Sequence, residues 1–184
     1  MLGRDYAGQN CSIARTLELV GERWTLLVLR DAFLGVTRFE HFLQRLKVAP
    51  NILSKRLRTL TDAGILERRR YQERPERQEY VLTEAGKDFL PVILGLMRWG
   101  DTHLAPKGAP VVARHGGCGG AVDGAGRCER CGETVGADEV EWHAGPGSRR
   151  PPGPLPRPPT APPAPSERAG VAARPPPDAA RRTP

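Results

Sequence analysis

Residues 37–82 constrain the fold more than any other stretch, because two helix patterns in tandem are followed by two short strand patterns around a polar tip. The second helix pattern, 50–63, places Leu53, Leu57 and Leu60 at i, i+4 and i+7, which makes one apolar stripe. A turn of about 100° per residue puts Asn51, Lys55 and Arg58 on the opposite face, with Ser54 and Arg56 on its flanks. Such a helix can bury its leucines while its cationic heads meet an anion. The same pattern describes an ordinary solvated basic face, so the neighbouring residues decide.

Upstream, Thr37 with Glu40 three residues later spells a capping box, and Phe39, Phe42, Leu43 and Leu46 mark an apolar face. Lys47, Val48 and Ala49 lead to Pro50, whose fixed φ and missing N–H suit a first helical position. Gly64 ends the second helix, strand patterns follow at 65–71 and 78–82, and the tip between them contains Pro75. Arg68, Arg69, Arg70, Arg74 and Arg77 crowd this hairpin. The expected fold is therefore mainly α with a small β-hairpin wing. This is a winged helix-turn-helix, with residues 50–63 for the major groove and 65–82 for flanking backbone or minor groove.

Charge supports that assignment locally rather than globally. The chain of 184 residues carries a formal +7, but beyond Ala144 seven arginines face only Glu167 and Asp178. Most of the net charge is thus a tail effect. Within 38–82 eleven Lys or Arg face six acids, and that concentration on a helix and a hairpin is the footprint of a DNA binder. No apolar run approaches the ~18–20 residues that span a bilayer, and the N-terminus lacks a signal-peptide core. Four cysteines in a chain of this length do not make a disulfide scaffold. A cytoplasmic protein is the expectation.

Before the tandem helices, Ser12 can cap a helix with Ile13, Leu17 and Val20 at core spacing. Trp24, Leu27, Val28 and Ala32 then give the stripe of a scaffold helix closed by Gly35, with Trp24 read as a core anchor. Several blocks along this path carry a resemblance. They are Cys11 to Arg15, Gly21-Glu22-Arg23-Trp24-Thr25-Leu26-Leu27, Arg38-Phe39, Pro50 to Leu57, Ala63-Gly64-Ile65-Leu66-Glu67-Arg68, and Tyr80-Val81-Leu82-Thr83-Glu84-Ala85-Gly86. In order and spacing they resemble the HxlR-type family of bacterial transcriptional regulators, over about residues 11–100. The resemblance implies a winged-helix homodimer on short operator sites of inverted or imperfect symmetry.

Thr83 caps a final helix pattern, and Pro91 inside it should kink the helix at roughly 3 kcal/mol. The pattern is more apolar than a half-exposed helix needs. The family's dimer interface, terminal helices packed together with the first helix, implies Leu90, Ile93, Leu94, Met97 and Trp99 as interface residues. A helix folded back on its own domain is the competing reading.

After a linker at 106–110 come His115-Gly116-Gly117-Cys118 and, after nine intervening residues, Cys128-Glu129-Arg130-Cys131. Two x2-spaced pairs beside glycines suit a closed, structural tetrahedral zinc site on His115, Cys118, Cys128 and Cys131. The segment is too short to bury a core, so metal would supply its folding energy. A redox pair at Cys128 and Cys131, or a ribbon without metal, stays open, and His143 is a substitute ligand. A deaminase is excluded, because Gly117 and Arg127 stand where that chemistry needs Glu and Pro.

Cys11 lies just ahead of the first helix, apart from the other three cysteines in the sequence. Some members of the family sense redox or electrophile signals at the matching place, so Cys11 is a candidate sensor, with plain packing as the alternative. The division expected is 1–105 for DNA binding and dimerisation, 106–144 for a zinc-ribbon-like segment, and 145–184 for a disordered Pro/Arg/Ala-rich tail.

The function expected is a sequence-specific, dimeric DNA-binding transcriptional regulator and not an enzyme. Asn51, Ser54, Lys55, Arg56, Arg58, Arg69, Arg70, Arg74 and Arg77 are the candidate DNA contacts. The partners are double-stranded DNA and a second copy of the chain, with no membrane and with room for a small-molecule or redox effector. The competing class is a protein-interaction adaptor on the same scaffold.

Overall fold

The computed structural model describes residue 6, residues 8–151 and residues 153–156. Helix α1 (Ser12–Val20) leads into α2 (Thr25–Phe33), α3 (Phe39–Leu46) and α4 (Pro50–Asp62). Strands β1 (Leu66–Gln72) and β2 (Arg77–Leu82) form the antiparallel wing, with Leu66 opposite Leu82 and Arg69 opposite Glu79. Helices α5 (Glu84–Lys87) and α6 (Leu90–Leu104) follow, then β3 (Val111–His115), β4 (Val140–Ala144) and β5 (Gly153–Pro154) in a second antiparallel sheet of that order. Among the described residues no helix is long and apolar enough to cross a membrane.

Helix α2 is the centre. It packs against α3, α4, β2 and α6, and its Val28 and Leu29 are fully buried. Phe42 and Leu46 of α3 and Leu53, Leu57 and Leu60 of α4 close over it, as their spacing predicts. Asp31 on α2 is buried as well. Its carboxylate takes Arg30 at 2.9 Å and Arg45 of α3 at 3.2 Å, so an ion triad ties α2 to α3.

The observed starts of the helices differ from the capping signals. Thr37 lies outside the helix, and its carbonyl accepts the Tyr80 N–H at 2.7 Å, which ties the wing to the helical body. Helix α3 therefore begins at Phe39 with Arg38 at the cap position, and no side chain caps it. Helix α1 takes in Ser12 itself, leaving Cys11 at its cap position. Thr83 caps as expected, accepting from the Gly86 N–H at 3.1 Å, but the helix it starts is the single turn α5. Pro91 then sits in the first turn of a new helix, where its missing N–H has no partner to lose, so the expected kink is a break between two helices.

The apolar residues of the outer helices also divide differently. Leu90, Ile93 and Leu94 are buried in the chain's own core, which corrects their assignment to a dimer interface, and Met97 is partly buried. Trp99, by contrast, is 59% exposed, beside Val92 and Leu96 on the same helix. Ile13 is 71% exposed and Leu17 also faces outwards, so of the three expected core residues on α1 only Val20 is buried.

The segment after the linker is not a satellite. Ala113, Val135, Val140 and Trp142 belong to the same core cluster as α2 and α6. Ordered structure also runs past Gly145, because β5 pairs with β4 and Leu155 packs on the core. The boundary of the expected tail therefore moves to at least residue 156, and the rest of that tail lies outside the described residues.

Candidate nucleic-acid interface and metal centre

Helix α4 presents Asn51, Ser54, Lys55 and Arg58 to solvent, on the face away from its buried leucines. Arg56 on the flank is not free. Its Nη2 lies 2.8 Å from Glu22 Oε2 and its side chain is largely buried, so it ties α4 to the turn after α1. Arg69 is likewise engaged, with Nε and Nη2 on Oε1 of the buried Glu79 at 2.9 and 2.8 Å. Arg70 has only the loose neighbour Glu73 at 3.8 Å, while Arg74 and Arg77 are exposed at the wing tip. Arg38 stacks over the Tyr71 ring at 4.5 Å, a wing-bracing contact that helical periodicity could not signal. Of the nine expected contacts, Arg56 and Arg69 are engaged inside the protein and brace α4 and the wing.

The four expected ligands do converge. The sulfurs of Cys118 and Cys128 are 3.4 Å apart, those of Cys118 and Cys131 are 3.8 Å apart, and His115 Nδ1 is 3.5 and 3.3 Å from Cys118 and Cys131. Four donors at about 2.0–2.3 Å from one tetrahedral ion stand about 3.5–3.8 Å from each other, so the set fits such an ion. All four atoms lie within 4.8 Å of one another, and they can hold a metal. His143 is elsewhere, paired with Glu141 at 3.4 Å on β4, which removes it as a substitute ligand.

Both knuckles are built alike. Each ends on a glycine with positive φ, Gly119 at 72° and Gly132 at 74°, and each returns that glycine's N–H to the first ligand's carbonyl. A left-handed residue there lets the chain reverse without Cβ strain. At Gly120 the constraint is space, since a Cβ would stand 2.6 Å from Cys128 Sγ. Arg114, Arg127 and Arg130 donate to the carbonyls of Gly119, Gly132 and Cys118, which places three cations around the thiols. The Cys131 backbone N–H donates to Cys128 and holds its thiol down at about 6. Cys131 is pushed up to about 11: the Glu133 N–H favours its thiolate, but desolvation and the two neighbouring sulfurs outweigh it.

Cys11 is exposed and stands apart from this cluster. The ribbon also reaches the winged helix through Lys87 Nζ, 2.7 Å from Asp138 Oδ2 and 2.9 Å from Glu84 Oε1, contacts that raise the lysine's pKa.

With this geometry in place, the similarity to known proteins is informative. The family model for an HxlR-like helix-turn-helix matches residues 19–108. The chain is 48% identical over 137 residues to Rv3095 of Mycobacterium tuberculosis, an uncharacterized HTH-type transcriptional regulator, covering 74% of this chain and 87% of that one. It is 33% identical over 106 residues to YdeP of Bacillus subtilis, another uncharacterized HTH-type transcriptional regulator, covering 55% and 83%. The crystal structure of PA1607, a candidate transcription factor, superposes with a TM-score of 0.51 at 32% identity, covering 76% of this chain and 87% of the other. A match over 74% of 184 residues runs beyond the helix-turn-helix region into the Cys/His segment, so the likeness to Rv3095 includes part of the ribbon. The chain belongs to the HxlR family of helix-turn-helix transcriptional regulators.

Proposed function

We propose that the protein is a homodimeric, sequence-specific DNA-binding regulator of transcription acting in the cytoplasm, with α4 in the major groove and the wing on flanking backbone or minor groove. The observation that carries the reading is the division of α4, whose leucines are buried while Asn51, Ser54, Lys55 and Arg58 are exposed. Bidentate or phosphate contacts need donors that are not already spent inside the protein. Arg56 and Arg69 act as braces in this scheme, and Arg74 and Arg77 reach the backbone.

A second copy would pack on the exposed apolar residues of the outer helices, Ile13 and Leu17 on α1 and Leu96 and Trp99 on α6. The metal is zinc, chosen by three thiolates and one imidazole in a closed four-coordinate set. Zinc bound there supplies a cross-link that closes the ribbon, and His115, Cys118, Cys128 and Cys131 hold it.

Binding to DNA from the protein's own promoter region, followed by fluorescence anisotropy at several salt concentrations, tests the reading. Replacing Lys55 and Arg58 together by Ala should weaken binding and flatten the salt dependence by about one phosphate contact each. A double variant that binds as tightly as the original chain, with the same salt slope, overturns it.

A further inference from the structure

Between α2, α6 and the start of β3 lies a chamber of about 220 Å3, walled by Leu34, Met97, Pro110, Val111 and Trp142. A volume of this size suits one aromatic ring with a short substituent, since an apolar cavity of about 150 Å3 accepts benzene. Met97, Asp101 and Val111 also line a neighbouring groove of about 640 Å3 between α6 and the ribbon.

Two charged side chains enter the chamber wall, Arg30 and Asp101, and they differ in what they have left to offer. Arg30 commits Nε and Nη2 to Asp31 Oδ1 at 3.1 and 2.9 Å. Asp101 is half-buried, and among the described residues it has no hydrogen-bond or ion-pair partner, so burial alone shifts its carboxyl upward. Its carboxylate is only partly shielded from water, and a ligand cation would supply the charge partner that the chain does not.

We infer that this chamber binds a small aromatic amine, with its ring among Met97, Val111 and Trp142 and its ammonium on the Asp101 carboxylate. The thioether of Met97 offers the ring a favourable sulfur contact. A carboxylate ligand would meet the charge of Asp101, and a neutral ring would leave that charge unpartnered. The occupant would touch α2, which packs on the helices of the motif, and α6, which carries the exposed Leu96 and Trp99. A ligand is therefore placed to alter how the helix-turn-helix is presented. The site itself does not depend on the DNA reading, because its occupancy is measured without DNA.

The test is isothermal titration calorimetry of the purified full chain with 2-phenylethylamine, phenylacetate and 2-phenylethanol, which share a ring and differ in charge. One amine should bind per chain, at least about tenfold more tightly than either of the others, and Asp101→Asn should remove that preference. Val111→Phe, which fills the chamber, should abolish binding while the circular dichroism spectrum stays unchanged. Should Asp101→Asn fail to fold, the charge series on the original chain and Val111→Phe still decide. Equal binding of phenylacetate, amine binding indifferent to Asp101→Asn or to Val111→Phe, or no heat with any probe up to millimolar concentration overturns the inference.

Discussion

The indole N–H of Trp142 donates to the carbonyl oxygen of Phe33 across 2.9 Å, a contact made inside the core between residues 109 positions apart. Phe33 is the last residue of α2, and the final carbonyls of a helix lack partners within it. A side chain of the ribbon therefore completes the central helix of the DNA-binding motif. The two units share one core rather than a linker.

That sharing makes a prediction about cooperativity. Trp142→Phe keeps most of the packing and removes the hydrogen bond, so it should cost about 1 kcal/mol, whereas Trp142→Ala should cost about 3–5 kcal/mol. In urea titrations helix content and thiol accessibility of Cys128 should change together in a single transition. A ribbon that unfolds at lower urea while the helices persist would show that the two units are independent.

The wing arginines should separate into two classes. Arg69 neutralises Glu79, which is almost fully buried, so Arg69→Ala leaves a carboxylate without its partner inside the hairpin. Because the arginine is about half exposed, the loss is discounted to about 1–2 kcal/mol of stability. Arg77→Ala should leave stability nearly unchanged and lower the salt dependence of DNA binding. Chemical denaturation alongside anisotropy distinguishes the two, and equal stability of both variants would refute the brace.

What could be read from the sequence follows from the range of the signal. Leu53, Leu57 and Leu60 declare their burial through spacing alone, and the two x2 knuckles declare a shared site because ligand geometry dictates local turns. Pairings such as Arg56 with Glu22, or Arg69 with Glu79, depend on where separate elements meet, so helical periodicity cannot show which cations are already satisfied. Leu90, Ile93 and Leu94 were legible as apolar but not as core, because the ribbon that extends their core follows them in the chain. Ile13 erred in the opposite sense, since its helical spacing holds equally for a face covered by nothing in the same chain.

The metal site should be sensitive to a residue that is not a ligand. Gly120→Ala would place a Cβ 2.6 Å from both Cys128 Sγ and Arg130 Cβ. All four donors would remain in the chain, yet the knuckles could not close at their present spacing. Metal analysis of reduced protein should give about one zinc per chain for the original sequence and clearly less for Gly120→Ala, with a lowered thermal midpoint. Cys128→Ser should lose the metal, and removal by a chelator should lower the original chain's midpoint in the same way. Full zinc occupancy in Gly120→Ala would show that the site tolerates a wider knuckle than this geometry allows.

The apolar residues of α6 should respond to charge according to the side they face. Leu96 is 51% exposed, so Leu96→Glu costs the isolated chain little but places a carboxylate among the apolar residues proposed to meet the second copy. Ile93, one turn away, is 4% exposed within the same core cluster as Val28 and Leu29, so Ile93→Glu buries an unpaired charge and should unfold the chain. Sedimentation at micromolar concentration should give a folded monomer for Leu96→Glu and for Ile13→Glu, beside a dimer for the original sequence. DNA affinity should fall in both, because an operator with two half-sites is held by two recognition helices at once. A Leu96→Glu chain that still sediments as a dimer would move the interface off these residues.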